Sequence, residues 1–146
     1  MITSEEFVRL ANRLALAASA GEVEWRTAVS RAYYGAFHLA SALLESAGGS
    51  VPDNPTAHAF VQRRLMECGQ EDARQAGSLL KDLHSERRKA DYKLKNAKAG
   101  TKEFALYSLE TAERFCSALA ACASAPNLSR IKVGIEEYER KLDGGR

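Results

Sequence analysis

The sequence predicts an all-α fold, an up-down antiparallel bundle of four long helices with a short helix and a C-terminal helix added. Three observations predict it: apolar residues recur at three- and four-residue spacing along six segments, Gly and Pro separate several of those segments, and no alternating strand pattern or internal repeat competes. The chain has 146 residues, enough for one hydrophobic core and too few for two, so one domain spanning 1–146 is expected.

The first helix is announced by Thr3-Ser4-Glu5-Glu6, the spacing of a capping box. It should run to about Ala20, with Phe7, Leu10, Ala11, Leu14 and Ala18 inward, and stop at Gly21. The second, from about Val23 to Ala47, carries the most regular stripe: Trp25, Ala28 or Val29, Ala32, Ala36, Leu39, Ala40 and Leu43. A second stripe of the same period, Thr27, Arg31, Tyr34, His38 and Ser41, is polar and flanks the core. Gly48 to Pro55 contains two glycines and two prolines and breaks the helix.

A short peripheral helix from Thr56 or Ala57 to Glu67 follows, with Phe60, Val61 and Leu65 inward, ended by Gly69. Glu71 and Asp72 suit the positive end of the next helix, which continues through Leu79, Leu80, Leu83, Ala90 and Leu94. Asn96 to Gly100 is its exit. Thr101 caps a fifth helix lined by Phe104, Leu109, Ala112, Phe115, Cys116 and Leu119 to about Ser124, and Pro126-Asn127 reads as the next break. A final amphipathic helix carries Leu128, Ile131, Ile135, Tyr138 and Leu142 before an Asp143-Gly144-Gly145-Arg146 tail.

Composition excludes several function classes. A net charge of +2 is small for a domain that grips a nucleic-acid backbone along its whole surface, so any contact with RNA or nucleotide should be local. Acids at Glu5 and Glu6 stand where a signal peptide needs a basic and then an apolar run, and no stretch approaches the roughly 20 apolar residues of a membrane span. A cytoplasmic protein with no membrane contact is expected. Cys68, Cys116 and Cys122 are odd in number and read as reduced thiols; without close Cys/His pairing, no metal is expected. No glycine-rich phosphate loop precedes a helix, and no cofactor is expected.

Two segments carry chemistry. Ser30-Arg31-Ala32-Tyr33-Tyr34-Gly35-Ala36-Phe37-His38 and Arg87-Arg88-Lys89-Ala90-Asp91-Tyr92 lie on successive long helices. At about 100° per residue, His84, Arg87, Arg88 and Asp91 share one side of their helix. Arginine forks suit phosphate, and a His beside a carboxylate can be held in one tautomer. The same residues, with Glu86 and Lys89, also fit a solvated, salt-bridged face. Arg31, Tyr34 and His38 either satisfy one another between helices or form a wall facing the Arg87 cluster. Tyr33 and Phe37 read as core packing, His58 as a surface or helix-end residue, and Arg63-Arg64 as a surface basic pair.

The two segments together resemble one branch of the HEPN family (higher eukaryotes and prokaryotes nucleotide-binding), over roughly residues 5 to 125. The resemblance implies a helical domain, commonly a homodimer in which the Arg-bearing helices meet. HEPN ribonucleases carry an Arg that holds the scissile phosphate and, a few residues on, a His that moves a proton in metal-independent cleavage. Arg87 matches the Arg; Tyr92 stands in the place of the His, and its phenol, with an unperturbed pKa near ~10, is a poor proton acceptor. Two roles follow from the resemblance. One is a nucleotide-, RNA- or partner-binding component of a toxin-antitoxin or defence-type system, paired with a small nucleotidyltransferase for which Tyr92 is a candidate target. The other is a metal-independent ribonuclease toxin using Arg87, Asp91 and His84 or Tyr92, with Arg31, Arg88, Tyr34 and His38 on the phosphate or nucleotide.

Overall fold

The computed structural model describes residues 3–144. Within them the chain forms six α-helices and no strands: α1 (Ser4–Leu16), α2 (Glu22–Ser46), α3 (Ala57–Glu67), α4 (Glu71–Tyr92), α5 (Lys102–Cys122) and α6 (Ala125–Gly144), with one 3-10 turn at Lys98–Gly100. The expected all-α bundle is the observed one. Helix α2 lies at its centre and touches α1, α4 and α5, while α3 lies on α4 and α6 on α3 and α5. Tyr34 meets Arg87 and Ser30 meets Asp91, so α2 and α4 run antiparallel.

Local chemistry sets most of the boundaries. The Glu6 carboxylate accepts from the Thr3 N–H and closes the capping box. The Thr101 hydroxyl accepts from the Phe104 N–H and starts α5. Gly69, at φ 80°, supplies the left-handed residue after α3.

Four ends differ from the sequence reading. Helix α4 stops at Tyr92, where Arg26 takes up its last carbonyls, so Leu94, expected on its inner stripe, lies beyond it and is exposed. Helix α1 stops at Leu16, because Leu16 to Ser19 are exposed and no core contact holds another turn; Ala18 faces outward. Pro126 lies inside the first turn of α6, where its missing N–H has no helical acceptor to lose, so it opens that helix. Helix α6 continues through Asp143 and Gly144; Gly145 and Arg146 of the expected tail lie outside the described residues, as do Met1 and Ile2.

The core is rich in small residues, with Ala11, Ala28, Ala32, Ala36, Ala73, Ala76 and Ala105 fully buried around Tyr33, Leu80, Leu83 and Phe115. Small side chains let helix axes approach closely. At Gly77 a Cβ would stand 2.7 Å from Met66 Cγ and 3.0 Å from Leu65 Cβ, so α3 lies against α4 at a spacing that only glycine permits there. That approach brings His58 on α3 to His84 on α4. Outside it, Arg64 stacks on Phe60 and pairs with Glu139 at 3.0 Å, tying α6 to α3.

The end of α4 is fixed by a buried cation. Arg26, 7% exposed, donates to the carbonyls of Lys89, Ala90, Lys93, Leu94 and Asn96, and its Nε meets Glu22 at 2.8 Å. A guanidinium at a helix C-terminus satisfies carbonyls that the helix cannot and complements its dipole. It also fixes the chain that follows Tyr92. Among the described residues no helix is long and apolar enough to cross a membrane.

Candidate functional site

The polar stripe of α2 and the Arg87 segment of α4 face each other, and α3 closes the side. Arg87 is only 6% exposed. Its guanidinium lies 5.3 Å from the Tyr33 ring centre, 5.4 Å from Tyr34 and 5.6 Å from Tyr92, with Nη1 3.4 Å from the Tyr34 hydroxyl and 3.6 Å from Asp91. Ser30 donates to Asp91 at 3.1 Å, and Arg31 donates to Ser30 at 3.3 Å while stacking over Tyr34 and Phe7. Arg31, Tyr34, Arg87 and Asp91 are thereby brought together across two helices. Nε of Arg87 is buried with no acceptor among the described residues.

Arg88 points the other way, into solvent. With Lys81, Lys89 and Lys93 it lines an open groove of about 470 Å³ on α4, completed by His84, Ser85, Tyr92 and Gln62 of α3. Among the described residues four cations and no carboxylate line it, and the Gln62 amide nitrogen has no acceptor. Tyr92 is 67% exposed at its rim. Glu86, by contrast, is buried and accepts from Ser108 of α5 at 3.0 Å, its pKa raised mainly by burial. The solvated face therefore does not include Glu86 or Arg87.

All three histidines of the chain gather on this side. His38 packs on Phe7 and Phe37. His58 is the helix-end residue expected, in the first turn of α3, and is half-buried there: it stacks on His84 with ring centres 5.1 Å apart and planes at 17°, and its Nδ1 lies 2.5 Å from the Tyr33 hydroxyl. Burial, then Arg31, lowers the His38 pKa; burial, then Arg87, lowers that of His58. His84 is pushed down to about 4 by burial, with His58, Arg87 and Arg88 adding to it. Burial raises the Tyr33 phenol, against the pull of Arg87. A protonated phenol is a stronger donor than an imidazole N–H, so Tyr33 donates to Nδ1 and the His58 proton resides on Nε2. At neutral pH the pair is two uncharged imidazoles.

An imidazole whose folded pKa is below its unfolded ~6.5 favours the folded state when neutral. Its stabilisation is complete above about pH 6.5 and is lost as the pH falls toward 4. Partial exposure reduces the effect to about 1 kcal/mol for His84. We expect His84→Gln to flatten the decline of the melting temperature between pH 6.5 and 4. A variant whose decline matches wild type contradicts this assignment.

The sequence reading missed His58 as a member of the site. The residue follows the proline loop and carries no sequence mark of its partners, which lie on two other helices. The burial of Glu86 and Arg87 did carry a signal: Leu79, Leu83, Glu86, Arg87 and Ala90 continue one core stripe at three- and four-residue spacing. Tyr33, read as core packing, is fully buried and also holds His58.

Comparison with known proteins adds one result: a family model described as HEPN domain matches residues 4–122, which include every residue of the site. No curated protein and no solved structure matches.

Proposed function

The chain belongs to the HEPN domain family, and from that premise we propose that it is a nucleotide- or RNA-binding component of a toxin-antitoxin or defence-type system, taking phosphate in the groove of α4. The observation that carries this reading is the groove itself, with Lys81, Arg88, Lys89 and Lys93 and no acid. Cations set around a shallow, solvent-open trough can each neutralise a backbone phosphate and release its counterion. Buried Arg87 acts from behind: it holds Tyr33, Tyr34 and Asp91 in place and adds positive potential beneath the histidines. Local charge of this kind is compatible with a net charge of +2.

The partners proposed are a second copy of the chain and a small nucleotidyltransferase. The exposed Tyr92 and Leu94 side chains at the end of α4, 67% and 70% exposed, support the homodimer that the family resemblance implies. The experiment that tests the binding role is titration of labelled single-stranded RNA with the purified full chain over a series of salt concentrations. Binding that weakens steadily with salt is expected; binding indifferent to salt removes the phosphate groove from the account.

One observation favours a second reading, a metal-independent ribonuclease. His84 is a neutral imidazole beside the groove, stacked on His58, and its unprotonated ring nitrogen can accept a proton from a 2′-hydroxyl and return it to a leaving oxygen. With this pair, Tyr92 need not replace a histidine. Cleavage of labelled RNA in EDTA, lost in His84→Ala and in His58→Ala, is the expected result under this reading. Cleavage that survives both substitutions, or is absent from a folded wild-type protein, rejects it.

A further inference from the structure

A second hollow, of about 560 Å³, opens on the other side of His58, between α2, the proline loop and the start of α3. Its walls differ in chemistry from those of the α4 groove. Tyr34, Phe37 and His58 give it aromatic surface, and Glu45, Asp53 and Asn54 give it polar edges, with no Lys or Arg among its lining residues. Carboxylates in place of cations make it a poor seat for a phosphate and a good one for a flat, uncharged ring with N–H groups at its edge.

Each hollow is walled by one imidazole of the stacked pair. His58 is a wall of the second hollow and stacks at 5.1 Å on His84, a wall of the groove. We infer that the hollow receives the base of a nucleotide, guanine in preference, while its phosphate lies in the α4 groove, an inference that rests on the phosphate-binding reading above.

The preference follows from donors and acceptors. Guanine presents two adjacent N–H donors, at N1 and N2, which match one carboxylate, with the O6 acceptor beside them. Asn54 and Asp53 are neighbours in the loop. The Asn54 carbonyl oxygen is engaged by the Thr56 N–H at 2.9 Å and by the Thr56 hydroxyl, which leaves the amide NH₂ free to donate to O6. Adenine and cytosine offer one amino donor beside an acceptor, which a carboxylate repels, and uracil offers a single N–H. Tyr34 and Phe37 on the wall of the hollow supply the aromatic surface against which the base packs.

The test compares binding of the 5′-monophosphates of guanosine, adenosine, cytidine and uridine, and of inorganic phosphate, to the full chain by calorimetry. The variant is Glu45→Gln with Asp53→Asn; both residues are exposed, so the fold is not at stake. Guanosine monophosphate should bind roughly tenfold tighter than the others, and the double variant should lose that margin while its affinity for inorganic phosphate is retained. Equal affinities for the four nucleotides, or a guanine preference that survives the double variant, overturns the base site and leaves the phosphate groove standing. No binding of any nucleotide or of RNA overturns both.

Discussion

Arg26→Ala should destabilise the protein by about 2–4 kcal/mol and lower its melting temperature by roughly 10 °C. The side chain donates to five carbonyls between Lys89 and Asn96, and none of its donors is wasted, since Nε is taken by Glu22. Alanine leaves the Ala90 carbonyl, a buried acceptor, with water as its only replacement partner and lets the last turn of α4 fray. Lysine should recover only part of the loss, because a single ammonium cannot fork across carbonyls that the guanidinium spans. Thermal melts of the three proteins decide the matter. A melting temperature for the alanine variant within about 2 °C of wild type would remove Arg26 from the account of how α4 is held.

The largest functional effect is expected from the groove. Arg88, Lys89 and Lys93 are exposed and line the α4 groove, and among the described residues none of them pairs with a carboxylate. Their combined replacement by Ala should leave the fold intact. If each neutralises one phosphate of a single strand, affinity for RNA should fall on the order of 100-fold at about 0.1 M salt, and the dependence of log K on log salt should become shallower by about 2. The two numbers are linked, because each lost contact removes the same increment from both. A variant that loses affinity with an unchanged salt slope has lost something other than phosphate contacts.

How much of this was legible in the sequence depended on whether the cause was local. Thr3 with Glu6, Thr101 with Phe104, and Gly69 act within a few residues of themselves, so the helices they start or stop were found where they fall. Pro126 was misread because a proline in a first helical turn and a proline in a loop have the same neighbours in sequence. The core stripe of α4 passes through Glu86 and Arg87, whose charges fitted a solvated face and, for Arg87, a phosphate-facing site, but gave no sign of burial. Their partners, Ser108 on α5 and the tyrosines on α2, are what make burial tolerable, and such partners are set by packing between helices. His58 is the extreme case: its contacts with Tyr33, Phe37 and His84 all come from other helices, and they depend on the close approach of α3 to α4 at Gly77.

The central claim is that the chain takes phosphate on the outer face of α4, and fluorescence anisotropy of a labelled single-stranded RNA tests it most directly. Wild type and the Arg88→Ala, Lys89→Ala, Lys93→Ala variant are titrated side by side across a salt series. Tight, salt-sensitive binding by wild type, with a large loss and a shallower slope in the variant, is the result the groove predicts. Equal binding by the two proteins, or none by a folded wild-type protein, contradicts it.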